Sequence, residues 1–114
     1  MPFDFEEFPV YKDTLKFVEE IDRFLETIPA KVNLRLIDQL QRAAISIVLN
    51  IAEGAGRFHK ADKRNFYIMS RGSVYECAAC IQIFLNKRVI TQDKYDLIYT
   101  SLNGLAKQLS AMVK

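Results

Sequence analysis

The chain has 114 residues, 50% of them hydrophobic and 26% charged, which fits one globular domain with a real core and leaves no room for a second. No run approaches the roughly eighteen apolar residues of a membrane span. The acidic start MPFDFEEF lacks the basic-then-apolar pattern of a signal peptide, so a cytoplasmic location and no membrane contact are expected. The net charge of +2 hides an asymmetry, because residues 1–30 carry a net of −5 and the remainder +7. That polarity either steers a partner or neighbouring subunit, or simply reflects helices of different composition.

Residues 1–8 read as an irregular lead-in whose Phe3, Phe5 and Phe8 dock on the body. Pro9 suits the first turn of a helix, where a missing N–H is harmless. A first helix is expected over about 9–28, with Val10, Leu15, Phe17, Val18, Ile21, Phe24, Leu25 and Ile28 at helical spacing and Lys12, Lys16, Glu19, Arg23 and Glu26 opposite. Pro29 ends it, since the residue before a proline avoids the helical region. Asn33 is the expected N-cap of a second helix, about 34–55.

The second helix has an unusually wide apolar arc. Leu36, Ile37, Leu40, Ala43, Ala44, Ile45, Ile47, Val48, Leu49, Ile51, Ala52 and Ala55 cover well over half its circumference, and Arg35, Arg42, Ser46, Asn50 and Glu53 form a narrow polar strip. A helix so apolar must meet two neighbours, and the second can be another subunit. Gly54 and Gly56 read as its stop. The basic turn Arg57 to Arg64 follows, and then a third helix over about 61–87, again broadly apolar, with Ile68, Ala79 and Ile83 on a flank. Gly72 inside that helix predicts close approach of another helix backbone, with Ser73 helping. A fourth helix over about 92–113, capped by Thr91, carries a narrow seam of Tyr95, Ile98, Leu102, Leu105, Leu109 and Met112. No segment alternates with the period of a strand. Short connections between the four helices predict an all-α, antiparallel up-down-up-down bundle in a single domain, residues 1–114.

QLQRAAISIVLNIAEGAGR, with GSVYE on the next helix, resembles the four-helix-bundle proteins encoded in intervening sequences of bacterial 23S rRNA genes. Related bundles include the accessory variability determinant proteins of diversity-generating retroelements, which assist a reverse transcriptase. The resemblance extends over nearly the whole chain. It implies a ring-shaped homo-oligomer, a pentamer, with nucleic-acid binding proposed for the group and no catalytic residue. The matching positions are Asn50, Ile51, Ala52, Glu53, Gly54 and Arg57, then Gly72, Ser73 and Glu76. Retroelement accessory proteins are strongly basic, whereas this chain carries only +2.

The chemistry-bearing residues point away from an enzyme, a cofactor or a metal. Cys77 and Cys80 spell C-x-x-C, yet no strand precedes them, and His59 alone cannot complete a zinc set, so they read as small core residues. Ser46, Ser70 and Ser73 have no histidine within helical reach. Antiparallel pairing about the turn brings Glu76 level with Arg42 and Glu53 level with Arg64, so charge pairs that set register or bridge subunits are expected there. Arg57, His59, Lys60, Lys63 and Arg64, with Arg71 above them, combine phosphate-binding charge with stacking rings, or else solubilise a helix end. The expected partners are copies of itself, then RNA or DNA, with a nucleic-acid-processing protein as the alternative.

Overall fold

The computed structural model describes residues 3–114, with Val32 described for its backbone alone. Four helices, α1 (Pro9–Glu26), α2 (Ala30–Ala55), α3 (Lys60–Asn86) and α4 (Gln92–Met112), follow a short 3₁₀ helix at Asp4–Glu7, and no strand occurs among the described residues. Bonds between helices fix their directions. Ser73 Oγ donates to Ser46 Oγ and Ser70 Oγ to the Ile47 carbonyl, while Arg64 Nε reaches the Val113 carbonyl and Arg71 Nε reaches Ser110 Oγ. Across α1 and α4, Gln108 donates to Asp13 and Ser101 to Glu20. Rising along one helix accompanies falling along the next in each case, so the chain is an antiparallel four-helix bundle, 44 × 24 × 20 Å in extent.

The core follows from helical spacing. Val10, Phe17, Ile21 and Phe24 of α1 meet Leu40, Ile47 and Ile51 of α2, Val74, Cys77, Ile81 and Phe84 of α3, and Ile98, Leu102, Leu105 and Leu109 of α4. Phe24 and Phe84 pack edge to face at 5.6 Å between centroids. Each such side chain contributes about 1.5–3 kcal/mol on burial, so this cluster dominates the fold. α4 presents the narrow inward seam its spacing predicts. Its Thr91 Oγ1 accepts from the Lys94 N–H at 3.2 Å, as an N-cap should.

Several local expectations are corrected. α1 stops at Glu26, because Thr27 and Ile28 already form the turn that leads into Pro29. Asn33 is not an N-cap. α2 starts at Ala30 after Pro29, and Asn33 interrupts it with φ −126° and ψ 17°, its Nδ2 donating to the Pro29 carbonyl at 3.0 Å. The amide thus ties down a short leading turn instead of capping the main helix. Phe5 packs edge-on against Tyr11 and Phe8 is partly buried on the core, whereas Phe3 is 59% exposed and leans only on Phe5.

α2 ends where expected, at Ala55 with Gly56 as its C-cap, but the geometry of the α2 and α3 ends differs. Gly56 caps α2 in a right-handed conformation, so the glycines do not stop the helix by a left-handed residue. The left-handed position belongs instead to Arg88, φ +60°, after α3, where the Val89 N–H donates back to the Phe84 carbonyl.

Candidate functional site

The basic turn between α2 and α3 is built mostly for the fold. Lys63 Nζ donates to the Ala55 carbonyl at 2.8 Å, and Arg64 Nε donates to the Val113 carbonyl at 2.7 Å. Two cations thereby satisfy carbonyls at the C-terminal ends of α2 and α4, where helix dipoles favour positive charge. Arg57 lies 3.8 Å from Glu53 and 4.6 Å over the Phe66 ring. Arg71 stands two turns above them, donates to Ser110 Oγ and to the Tyr75 hydroxyl, and covers the Tyr75 ring. The six residues therefore do not converge on one site. What projects freely at the tip is Phe58, 97% exposed, with the exposed His59 and Lys60, whose side chains make no hydrogen bond or ion pair among the described residues.

The motif residues on α2 and α3 set the register of that pair, through partners the sequence did not identify. Glu76 accepts from Gln39 Nε2, not from Arg42, and Arg42 pairs with Asp38 one turn away at 3.0 Å. Glu53 pairs with Arg57, not Arg64. These expected cross-helix charge pairs fail because Arg42 and Glu53 are exposed on α2, where Arg42 meets Asp38 of its own helix and Glu53 meets Arg57 in the turn just beyond it.

Polar pins do the joining. Asn50 Nδ2 donates to the Ser46 carbonyl and approaches Ser46 Oγ, which accepts from Ser73. Ser70, fully buried, donates to the Ile47 carbonyl at 2.7 Å. Ser70, Ser73, Cys77 and Cys80 recur at three- and four-residue intervals, a small-residue seam that lets α3 lie close to α2. That recurrence was the available signal for Ser70.

The two glycines behave in opposite ways. A Cβ on Gly54 would sit 2.8 Å from Tyr67 Cε1 and 3.0 Å from Phe66 Cβ, so Gly54 is where α3 crosses α2 most tightly. A Cβ on Gly72 would meet nothing within 4 Å. The close approach expected at Gly72 does not exist within this chain.

Burial pushes the Cys77 and Cys80 thiols up from their ordinary range, with the neighbouring Glu76 carboxylate adding to the effect. A thiolate ligand or nucleophile would have to form against that. No group of three His, Cys, Asp or Glu side chains that could hold a metal occurs among the described residues. Among the described residues no helix is long and apolar enough to cross a membrane.

The outer face of α2 and α3 carries several uncovered apolar side chains. Ile45 (47% exposed) and Leu49 (61%) face outward on α2. Ile68 (42%), Tyr75 (56%) and Ile83 (47%) line α3 at helical spacing, with the exposed Gly72 and Ala79 between them and Met69 (53%) beside. The Ser46–Ser73 and Ser70–Ile47 bonds place Leu49 level with Met69, so the two helices contribute to one surface. Of the twelve apolar positions read on α2, Ile45 and Leu49 are exposed, and the other ten are buried or half-buried.

Comparison with known proteins agrees with this architecture. No curated protein matches the chain. A crystal structure of a protein with unknown function from the S23 ribosomal protein family of Bacteroides thetaiotaomicron VPI-5482 superposes with a TM-score of 0.83, covering 92% of this chain and 98% of that one at 20% identity. At that identity the likeness concerns the fold. The profile of the 23S rRNA-intervening sequence protein family matches residues 6–111, nearly the full length, and the chain belongs to that family.

Proposed function

We propose that the protein is a non-enzymatic building block that joins copies of itself through the outer α2/α3 face into a closed ring, a pentamer, whose repeated ends bind nucleic acid in the cytoplasm. The exposed apolar stripe of Ile45, Leu49, Ile68, Met69 and Tyr75 carries this reading, because so many large apolar groups on one side of a small domain call for a cover. In the proposed joint this patch meets a different surface on the next subunit, and such a head-to-tail contact gives a ring where its rotation closes. Every end feature then repeats around the axis, so weak contacts through Phe58, His59 and Lys60 sum to useful affinity. The serine hydroxyls engaged within the bundle and the protonated thiols support a role without catalysis.

Light scattering on the wild type, with Leu49→Lys and Ile45→Lys beside it, tests the assembly. The wild type is expected as an oligomer and the variants as helical monomers; a monomeric wild type sinks the proposal. Titration of labelled RNA at two salt concentrations tests the ends, with affinity expected to fall steeply as salt rises.

One observation favours a second reading, a scaffold for a nucleic-acid enzyme such as a reverse transcriptase. Arg57, Lys63, Arg64 and Arg71 are engaged inside the molecule, which leaves the turn with few free cations. That reading predicts no salt-sensitive RNA binding, and co-purification with such an enzyme.

A further inference from the structure

We infer that the end of the bundle opposite the basic turn, formed by the α1–α2 and α3–α4 connections, holds a groove that binds the phosphodiester backbone of RNA. This rests on the nucleic-acid reading above and moves the principal contact to residues outside the turn. An open groove of about 430 Å³ lies there, lined by Lys31, Asn33, Arg35 and Lys87, with Leu34 and Ile83 as apolar walls. The three cationic side chains are exposed and make no ion pair or hydrogen bond among the described residues. At the basic turn, by contrast, Arg57, Lys63 and Arg64 are occupied by Glu53 and by helix carbonyls.

The placement of two of them, Lys31 and Arg35, has no explanation in the fold. Cations stabilise a helix at its C-terminal end and oppose it at its N-terminal end, where the dipole is positive. Lys87 follows α3 and is favourably placed, but Lys31 and Arg35 stand at the start of α2, whose first turn holds no acidic residue. An anion seated between them relieves that repulsion and also meets the positive pole of α2.

Two further features point to a ligand. Asn33 lines the groove at 4% exposure, and its Oδ1 is the one buried side-chain polar atom left without a partner among the described residues. It is an acceptor sealed from solvent, so a donor on the ligand, such as the hydroxyl a ribose brings beside its phosphates, reaches it once the side chain turns toward the groove. Arg88, next to Lys87, holds the left-handed conformation that glycine would adopt at less cost, and it keeps a fourth free cation at this end. The exposed Leu34 and Ile83 offer an apolar wall to the face of a sugar or base.

The test is binding of a labelled single-stranded RNA to the full chain, compared between the wild type, Lys31→Gln/Arg35→Gln/Lys87→Gln and His59→Gln/Lys60→Gln. The groove variant is expected to bind at least tenfold more weakly at about 0.15 M salt, with the slope of log affinity against log salt reduced by about 2, as for three lost phosphate contacts. The turn variant should lose less. The charge-conserving Lys31→Arg/Arg35→Lys/Lys87→Arg variant should retain binding, which separates lost charge from lost fold, and circular dichroism checks the helices of each. A groove variant with wild-type affinity and slope, or a larger loss from the turn variant, overturns the groove assignment and leaves the nucleic-acid reading standing. A wild type that binds no RNA overturns both. DNA of the same sequence should bind more weakly, and equal binding removes the ribose hydroxyl assigned to Asn33.

Discussion

Gly54→Ala, in the last turn of α2, and Gly72→Ala, in the interior of α3, are the same chemical change, and they should shift stability in opposite directions. Alanine is favoured over glycine within a helix by about 0.8–1.0 kcal/mol. At Gly72 nothing stands within 4 Å of the new methyl and φ is not positive, so nearly all of that gain should appear. At Gly54 the methyl would lie 2.8 Å from the buried Tyr67 ring and 3.0 Å from Phe66 Cβ. Ordinary carbon contacts lie near 3.5–4.0 Å, so the ring or the whole of α3 must move by roughly 0.7 Å or more. Overpacking of that kind costs about 1–3 kcal/mol, which exceeds the propensity gain and leaves a net loss of roughly 1 kcal/mol.

The two variants should therefore differ by about 2 kcal/mol, or several degrees in melting temperature for a chain of this size. Urea unfolding of both, at several protein concentrations so that self-association can be separated from folding, measures this directly. Equal effects, or a stabilising Gly54→Ala, would refute the packing argument. Gly72→Ala has a second readout. If the outer α2/α3 face is the joint between subunits, the same methyl that stabilises the monomer should weaken the oligomer.

Two further outcomes follow from the site geometry. Lys63→Met removes the cation that satisfies the Ala55 carbonyl and should destabilise by about 1 kcal/mol in urea melts, whereas Lys60→Met, with no partner to lose, should stay within about 0.5 kcal/mol of wild type. The raised thiols of Cys77 and Cys80 make stability depend on pH in one direction. In the unfolded chain these thiols ionise at their ordinary value of 9.0, while the folded protein keeps them protonated. Their contribution is full below about pH 9 and is lost as pH rises above it, with a slope of up to about 1.4 kcal/mol per pH unit for each proton released. Denaturant melts at pH 7 and pH 10 should show that fall, and Cys77→Ala should make it shallower; a flat profile would contradict the burial argument.

Periodicity made the helices and the core legible, because burial follows spacing of three and four whatever the partners are. Leu102, Leu105 and Leu109 could hardly face elsewhere. The polar contacts were less legible, because they depend on rotation of each helix about its axis. A small rotation turns Arg42 from α3 toward its own Asp38 and brings Gln39 to Glu76 instead. Glycine roles were hidden for the same reason: Gly54 looked like a stop and is a crossing point, while Gly72 looked like a crossing point and is open. Asn33 has the composition of a cap, but Pro29 three residues after the last turn of α1 starts α2 sooner.

The distribution of charge shows how far a basic run in the sequence can mislead. Arg57 to Arg64 is the densest cluster, and its position after α2 and beside the end of α4 places Lys63 and Arg64 against two negative helix poles, while Arg57 pairs with Glu53. Those charges are neutralised by the protein itself, so their density measures a demand of the fold. Lys31 and Arg35 sit at the positive pole of α2, as Lys63 and Arg64 do at that of α3, but they donate to no helix carbonyl in return among the described residues. A cation retained against its local field is better evidence for an external anion than a cation placed with it. By that criterion the N-terminal end of α2, and not the denser basic turn, is the place we propose for phosphate.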